Sequence, residues 1–368
     1  MRVAINGTCF NHRPSGARQR FVGLFNELLI QLPEAEFTLF EPRDADIGTW
    51  FGDHPNLSVK TTPLPSEGRV KRWWQGLHYW PKALELTGAG VFEALHLPLI
   101  RPRQGKTILT IHDVRGLLPE ERPFTKALHH RVIGDALARA DEVVTVSAWM
   151  RDVLLSLVPN LSVTVIYNGI NPALFAAQNE DIVNEFLIRH QLPREYMLAV
   201  GHIEPRKNYP RLLKAVAQLK AQGRDFFLVI VGQDSGQGEA LRRLIDTLGL
   251  QARVRVLSTI TDQDLALVYQ ACRLVVFPSL YEGFGIPILE AMAAHRPIVL
   301  SNLPVFNEIT QGKALYFLPT DIDAIAHALE RGMVDEVGRE AMVAHGLLRV
   351  GDFRFDRLAQ QMASVYRH

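Results

Sequence analysis

Cysteine is almost absent from this chain: Cys9 and Cys272 are its two thiols. Two thiols so far apart supply neither a disulfide framework nor the paired spacing of a zinc site, and they favour a reducing compartment. An excess of one charge is missing too. Forty Lys and Arg stand against 39 Asp and Glu, which removes the global electrostatic case for a nucleic-acid partner. No apolar run reaches the length of a membrane span. The opening Met1-Arg2-Val3-Ala4-Ile5-Asn6-Gly7 has too few apolar residues for a signal peptide and predicts a first strand. Low-complexity tracts and sequence-level repeats are also lacking. The cytoplasm is therefore the expected compartment, with a peripheral contact at the inner face of a membrane left open.

What remains is an ordinary globular composition, 47% apolar and 21% charged, over 368 residues, enough for two domains. Strand and helix patterns alternate throughout, which predicts α/β architecture with parallel sheets. In the first half, strands are expected at Val3–Asn6, Phe37–Phe40, Thr107–Ile111, Glu142–Val146 and Val163–Tyr167, with helices at Arg20–Gln31 and Lys126–Ala138. A second set follows: strands at Met197–Val200, Phe226–Val231, Val254–Leu257, Leu274–Pro278 and Ile298–Leu300, and helices at Arg211–Ala221, Glu239–Leu248, Asp262–Cys272 and from about Pro287. The polar segment Asn171–Glu180 is the candidate linker. The expected domains are 1–170 and 171–352, two doubly wound, Rossmann-like units facing across a cleft, with 353–368 returning as a helix onto the first. Ligands of such folds bind beyond the carboxyl ends of the strands.

Two segments lie at such ends. Glu282-Gly283-Phe284-Gly285-Ile286-Pro287-Ile288-Leu289-Glu290 follows a strand and opens a helix. Free N–H groups at Phe284, Gly285 and Ile286 suit sugar or phosphate oxygens. With Pro287 in the first turn, Glu290 falls about one turn inside the helix and Glu282 ahead of it, so the carboxylates flank the helix N-terminus. An anion with hydroxyls on both sides, such as a nucleotide sugar, fits that pattern; a capped helix with a glycine turn is the plainer alternative. The second segment, Gly201-His202-Ile203-Glu204-Pro205-Arg206-Lys207-Asn208, sets two cations after a proline. Together they can neutralise a diphosphate.

These residues resemble retaining glycosyltransferases of the GT-B fold, family 4. Glu282 through Glu290 is similar to that family's E-x7-E signature, and Gly201 through Asn208 to its Pro-Arg-Lys-Asn element. Tyr167-Asn168-Gly169-Ile170, Thr110-Ile111-His112-Asp113 and Glu142-Val143-Val144-Thr145-Val146-Ser147 resemble its junction turn and two strand ends of its acceptor domain, in the family's order. The resemblance implies that Arg206 and Lys207 bind the donor diphosphate, Glu282 the transferred sugar and Glu290 the ribose. It implies that Phe284 and Gly285 hold sugar hydroxyls through their backbone and that His112 lines the reacting centre. Gly16 in Pro14-Ser15-Gly16-Ala17-Arg18 stands where the family approaches the diphosphate, although Ser15 replaces a first glycine. Ser258 likewise stands where a glycine is common beside the base.

The implied activity is hexose transfer from a nucleotide-diphosphate sugar to a glycan or lipid-linked glycan, with retention, in surface-polysaccharide assembly. Mannose from GDP-mannose is the first expectation; a hexose from a uridine nucleotide stays open. So do a nucleotide-sugar epimerase and a non-catalytic binding protein. Asp44-Ala45-Asp46 and Asp321-Ile322-Asp323 are D-x-D triplets read as structural, so no cofactor and no essential metal are expected. The basic, aromatic run 69–80 allows a membrane contact; the plainer reading puts its tryptophans in the core and its cations in solvent.

Overall fold

The structure is a computed structural model and describes residues 1–368 except 14, 97–103, 114–133, 135–136 and 259. The helix expected at Lys126–Ala138 falls largely outside the described residues. The chain divides into two compact units, Met1–Gly169 with Phe355–His368, and Ile170–Arg354.

The first unit is built on seven parallel strands: β1 (Arg2–Asn6), β2 (Glu36–Glu41), β3 (Leu57–Thr61), β4 (Val91–Ala94), β5 (Lys106–Ile111), β6 (Glu142–Thr145) and β7 (Val163–Val165). Their spatial order is β3-β2-β1-β4-β5-β6-β7, so the chain reverses its direction of travel between β1 and β4. Both sheet faces are covered, which is why the strands read as apolar runs rather than alternating ones. On β1, Val3 and Ile5 face one core with Phe21, Phe25 and Leu28 of helix Gly16–Gln31; Ala4 faces the other with Trp80 and Leu84 of helix Arg69–Thr87. Ser15 caps the first helix by accepting from the Arg18 N–H at 3.1 Å, so the helix begins a turn earlier than its apolar period suggests.

Helix Phe355–Arg367 completes this unit. Leu358, Ala359, Met362, Ala363 and Tyr366 lie at three- and four-residue spacings and are buried in the core shared with the first helix. Its last turn enters a polar network. Glu93 sits in β4 at 4% exposure, accepts from Thr110 Oγ1 at 2.8 Å, and accepts from the Tyr366 hydroxyl. Burial pushes the Glu93 carboxyl up, partly offset by these two hydrogen bonds and by the Arg20 guanidinium. Deleting one hydroxyl here strips a buried carboxyl of a partner, which costs about 1.5–3 kcal/mol. Tyr366→Phe should lower the unfolding free energy by about 2 kcal/mol in denaturant titration; an unchanged midpoint would show that the helix is held by its apolar face alone.

The second unit has six parallel strands: β8 (Tyr196–Val200), β9 (Leu228–Val231), β10 (Val254–Leu257), β11 (Cys272–Phe277), β12 (Ile298–Ser301) and β13 (Leu315–Phe317). The order β10-β9-β8-β11-β12-β13 places its reversal between β8 and β11. Met197 and Ala199 face the core under helices Tyr209–Ala221 and Ile322–Val334, while Tyr196 points the other way and donates to the Val268 carbonyl at 2.7 Å. The segment Asn171–Glu180 is not a free linker. It belongs to this unit, forms a short turn at Pro172–Phe175, and packs Phe175 edge-on against Tyr269 with ring centres 5.7 Å apart. Cys272 opens β11 instead of closing the preceding helix, Asp262–Ala271. Among the described residues no helix is long and apolar enough to cross a membrane.

Candidate donor site

The reversal lies between β8 and β11, the place where open α/β sheets bind ligands beyond the carboxyl ends of their strands, and both motifs emerge there. After β8 the chain turns at Gly201 with φ 147°, a value that disfavours any side chain. A Cβ at Gly201 would lie 2.7 Å from Lys207 Cε, so the glycine lets the lysine stem pack on the backbone. Pro205 then opens a short 3-10 turn, Pro205–Lys207, which ends at Asn208 in the left-handed region, φ 58°. Asparagine is one of the few non-glycine residues that tolerate this conformation.

Asn208 joins the two strand ends. It is 2% exposed, and its amide donates to the Pro278 carbonyl at 2.9 Å and the Pro319 carbonyl at 2.7 Å. The Leu280 N–H donates to the Arg206 carbonyl at 2.8 Å, a second tie between the loops. These contacts bring Glu282 onto Arg206 and Lys207. One Glu282 oxygen accepts from Lys207 Nζ at 2.7 Å and Ser279 Oγ at 2.9 Å; the other meets Arg206 at 2.5 Å. Arg206 also pairs with Glu204 at 2.6 Å, and its Nε is buried with no partner among the described residues. Burial pushes the Glu282 carboxyl up, but the Lys207 ammonium and then the Arg206 guanidinium outweigh it and hold the group below its ordinary range.

The rest of the E-x7-E stretch runs into helix Ile286–Ala293, with Pro287 as its second residue. Gly285 caps it at φ 124°. The side chains of Phe284 and Ile286 are buried, so only backbone is offered to a ligand along Gly283–Ile286; the Phe284 ring packs edge-on to Phe353 at 6.0 Å. Glu290 does not join the cationic cluster. It is 6% exposed and accepts from the Tyr269 hydroxyl at 2.8 Å.

His112 and Gly16 belong to the first unit. His112 follows β5, partly buried; burial first and the Arg20 guanidinium second bring its imidazole down to about 3, so it is neutral at physiological pH. Gly16 is the first residue of its helix. Ser258 lies exposed just beyond β10. Asp321 caps helix Ile322–Val334 by accepting from the Ala324 N–H, and Asp44 accepts from the Ser66 N–H at 2.8 Å. Among the described residues no group of three or more His, Cys, Asp or Glu is placed to hold a metal ion.

Four residues were not assigned roles by motif reading: Glu204, Asn208, Ser279 and Tyr269. Asn208 was legible in principle, because an asparagine between a Pro-led turn and Tyr209-Pro210 marks a left-handed helix start. Ser279 and Tyr269 carry no such signal, since their partners come from sequence-distant segments.

Two parallel sheets with alternating helices and a charged cluster at a sheet reversal define a GT-B protein, and solved structures agree. Sucrose-phosphate synthase from Thermosynechococcus elongatus superposes with a TM-score of 0.78 at 21% identity, covering 100% of this chain and 98% of that one. Anabaena Alr3699/HepE in complex with UDP-glucose gives 0.76 at 19% identity, covering 100% and 99%. Residues 38–174 match the Glycosyltransferase Family 4 model and residues 184–347 the Glycosyl transferases group 1 model. The two halves of the chain are thus each similar to glycosyltransferases, the first to family 4 and the second to group 1. The chain is 28% identical over 270 residues to O-antigen chain mannosyltransferase B of Escherichia coli, spanning 72% of this chain and 71% of that one. It is 29% identical to O-antigen chain mannosyltransferase RfbU of Salmonella typhimurium, spanning 61% and 59%.

Proposed function

We propose that this protein moves a hexose from a nucleotide-diphosphate sugar to a hydroxyl of a glycan or lipid-linked glycan during surface-polysaccharide assembly, with retention at the transferred carbon. The second unit binds the donor and the first the acceptor. Mannose from GDP-mannose is the first candidate, supported by the O-antigen mannosyltransferases among the relatives. The observation that carries the reading is the Arg206–Lys207–Glu282 cluster at the sheet reversal.

In this reading Glu282 sets the two cations before the donor arrives, and the diphosphate oxygens join as further acceptors. Lys207 spends one of its three N–H bonds on Glu282, which leaves others for phosphate. As the glycosidic bond breaks, negative charge grows on the leaving phosphate, and fixed cations stabilise it without a metal. A carboxylate with both oxygens engaged and its basicity lowered is a poor nucleophile. That favours a front-face course, in which the leaving phosphate oxygen takes the acceptor hydroxyl's proton, over a covalent glycosyl–Glu282 intermediate. Glu290, whose carboxylate is oriented by the Tyr269 hydroxyl, binds the ribose. His112, held neutral, lines the reacting centre as a hydrogen-bonding group rather than as a cation.

The test is a thermal-shift panel of nucleotide sugars, followed by transfer assays with the stabilising donor in chelator. A ligand specific to the folded state raises the midpoint with its concentration relative to Kd. GDP-mannose should give the largest shift, and product should form only with acceptor present. Conversion of donor alone to an epimer, or binding with no transfer to any acceptor, would replace this reading.

A further inference from the structure

The cationic cluster carries more negative charge than its geometry needs. Arg206 Nη1 meets Glu282 at 2.5 Å, Arg206 Nη2 meets Glu204 at 2.6 Å, and Lys207 Nζ meets Glu282 at 2.7 Å. Two cations thus face two carboxylates, and the four formal charges cancel. Glu282 has a plain structural use, because it holds Arg206, Lys207 and Ser279 together across two loops.

The Glu204 carboxylate has no comparable use in the turn it precedes. That turn, Pro205–Lys207, is closed by backbone: the Lys207 N–H donates to the Glu204 carbonyl at 3.1 Å, and the Glu204 side chain does not cap it. The carboxylate stands on the open side of the cluster, 20% exposed against 11% for Glu282. Arg206 Nε is buried, so a ligand reaches this guanidinium at its Nη edge, which the two carboxylates flank. A phosphate bound there comes to lie close to Glu204, and like charges in close approach repel.

That repulsion falls unequally on the two ligands of the reaction. A nucleotide sugar carries two negative charges on its diphosphate. The nucleoside diphosphate left after transfer gains about one more at pH 8, on its terminal phosphate. Two bare cations would therefore grip the product harder than the substrate. An acid beside Arg206 opposes both ligands, and the product more.

We propose that Glu204 is a counter-anion that tempers the donor site, so that the nucleoside diphosphate leaves after transfer. The proposal rests on the donor reading of the Arg206–Lys207–Glu282 cluster and adds to it a residue that sets the balance between donor and product affinity.

Equilibrium binding of the full chain tests it, at pH 8 and low salt. The probes are the nucleotide sugar that gives the largest thermal shift and its own nucleoside diphosphate. Glu204→Gln keeps an oxygen to accept from Arg206 Nη2 and removes the charge. A unit charge about 6 Å from another is worth roughly threefold in affinity even at the dielectric of water. The variant should therefore bind the nucleotide sugar at least about threefold more tightly and the diphosphate at least about tenfold more tightly. Tighter binding is a gain that misfolding cannot mimic. Inhibition of transfer by added diphosphate should sharpen in step, and both gains should shrink in high salt. Glu204→Asp, which keeps the charge, should hold the wild-type ratio of the two affinities. Weaker binding of both ligands by Glu204→Gln would overturn the proposal and make Glu204 a structural support for Arg206. Unchanged affinities, or an equal gain for donor and product, would overturn it as well. Wild type that binds no nucleotide sugar would instead remove the donor reading and this proposal together.

Discussion

Lys207→Met should lower kcat/KM for glycosyl transfer by about 10²–10³ while the fold survives. The methionine keeps the stem that packs against Gly201 and removes only the ammonium. Glu282 retains Arg206 and Ser279, so no buried carboxylate is left bare. The loss falls on the transition state, where the departing phosphate carries most charge, and a prepositioned donor in such a place is worth about 3–4 kcal/mol. The donor should still bind, through Arg206 and the backbone of Gly283–Ile286, so a nucleotide thermal shift should persist in reduced form. Steady-state kinetics with the donor identified by the panel would decide it. Transfer within a few-fold of wild type would remove the lysine from the chemistry and make it a structural partner of Glu282.

Asn208→Ala is expected to be the more destructive change for stability. Two terms add. The variant leaves the Pro278 and Pro319 carbonyls without their donor in the interior, at about 1–3 kcal/mol each. It also forces alanine into the left-handed region, at about 1–2 kcal/mol. Together about 3–8 kcal/mol should be lost, a large share of a domain's stability. Transfer should fall as well, since the Pro278 carbonyl precedes Ser279, which hydrogen-bonds Glu282. Asn208→Gly separates the terms: it relieves the backbone and restores no hydrogen bond, so it should recover about 1 kcal/mol and little activity. Full recovery in the glycine variant would mean that backbone conformation matters and the tie between the strand ends does not.

Much of the fold was legible because its strands are apolar on both faces and bounded by turn residues. Val254–Leu257 keeps its expected bounds, and β1, β8 and β12 are each one residue longer at one end. β3, β4 and the three-residue β13 are not legible in the sequence, the first two for evident physical reasons. β3 is an edge strand whose outward residues Ser58, Val59, Lys60 and Thr61 are exposed, so it has no apolar run. β4 carries Glu93 in its middle, a charge that reads as surface until Tyr366 and Thr110 are seen to satisfy it. The aromatic run 69–80 divided between readings: Trp80 went to the core, while Trp73 and Trp74 stayed outside.

The sequence by itself determined the strand-turn-helix context of Gly201–Asn208 and Glu282–Glu290, because glycine, proline and asparagine fix backbone dihedrals locally. It also named Arg206, Lys207 and Glu282 as one group of candidates. Only the tertiary structure decided that Glu282 bridges both cations, that Glu204 takes the other side of Arg206, and that Glu290 turns away to Tyr269. Those partners meet because parallel strands β8 and β11 lie side by side although more than 70 residues separate them, as the Lys207–Glu282 separation of 75 shows. Local dihedral preference can be read along a chain; the pairing of distant charges depends on strand order, and strand order is settled by the packing of the whole sheet.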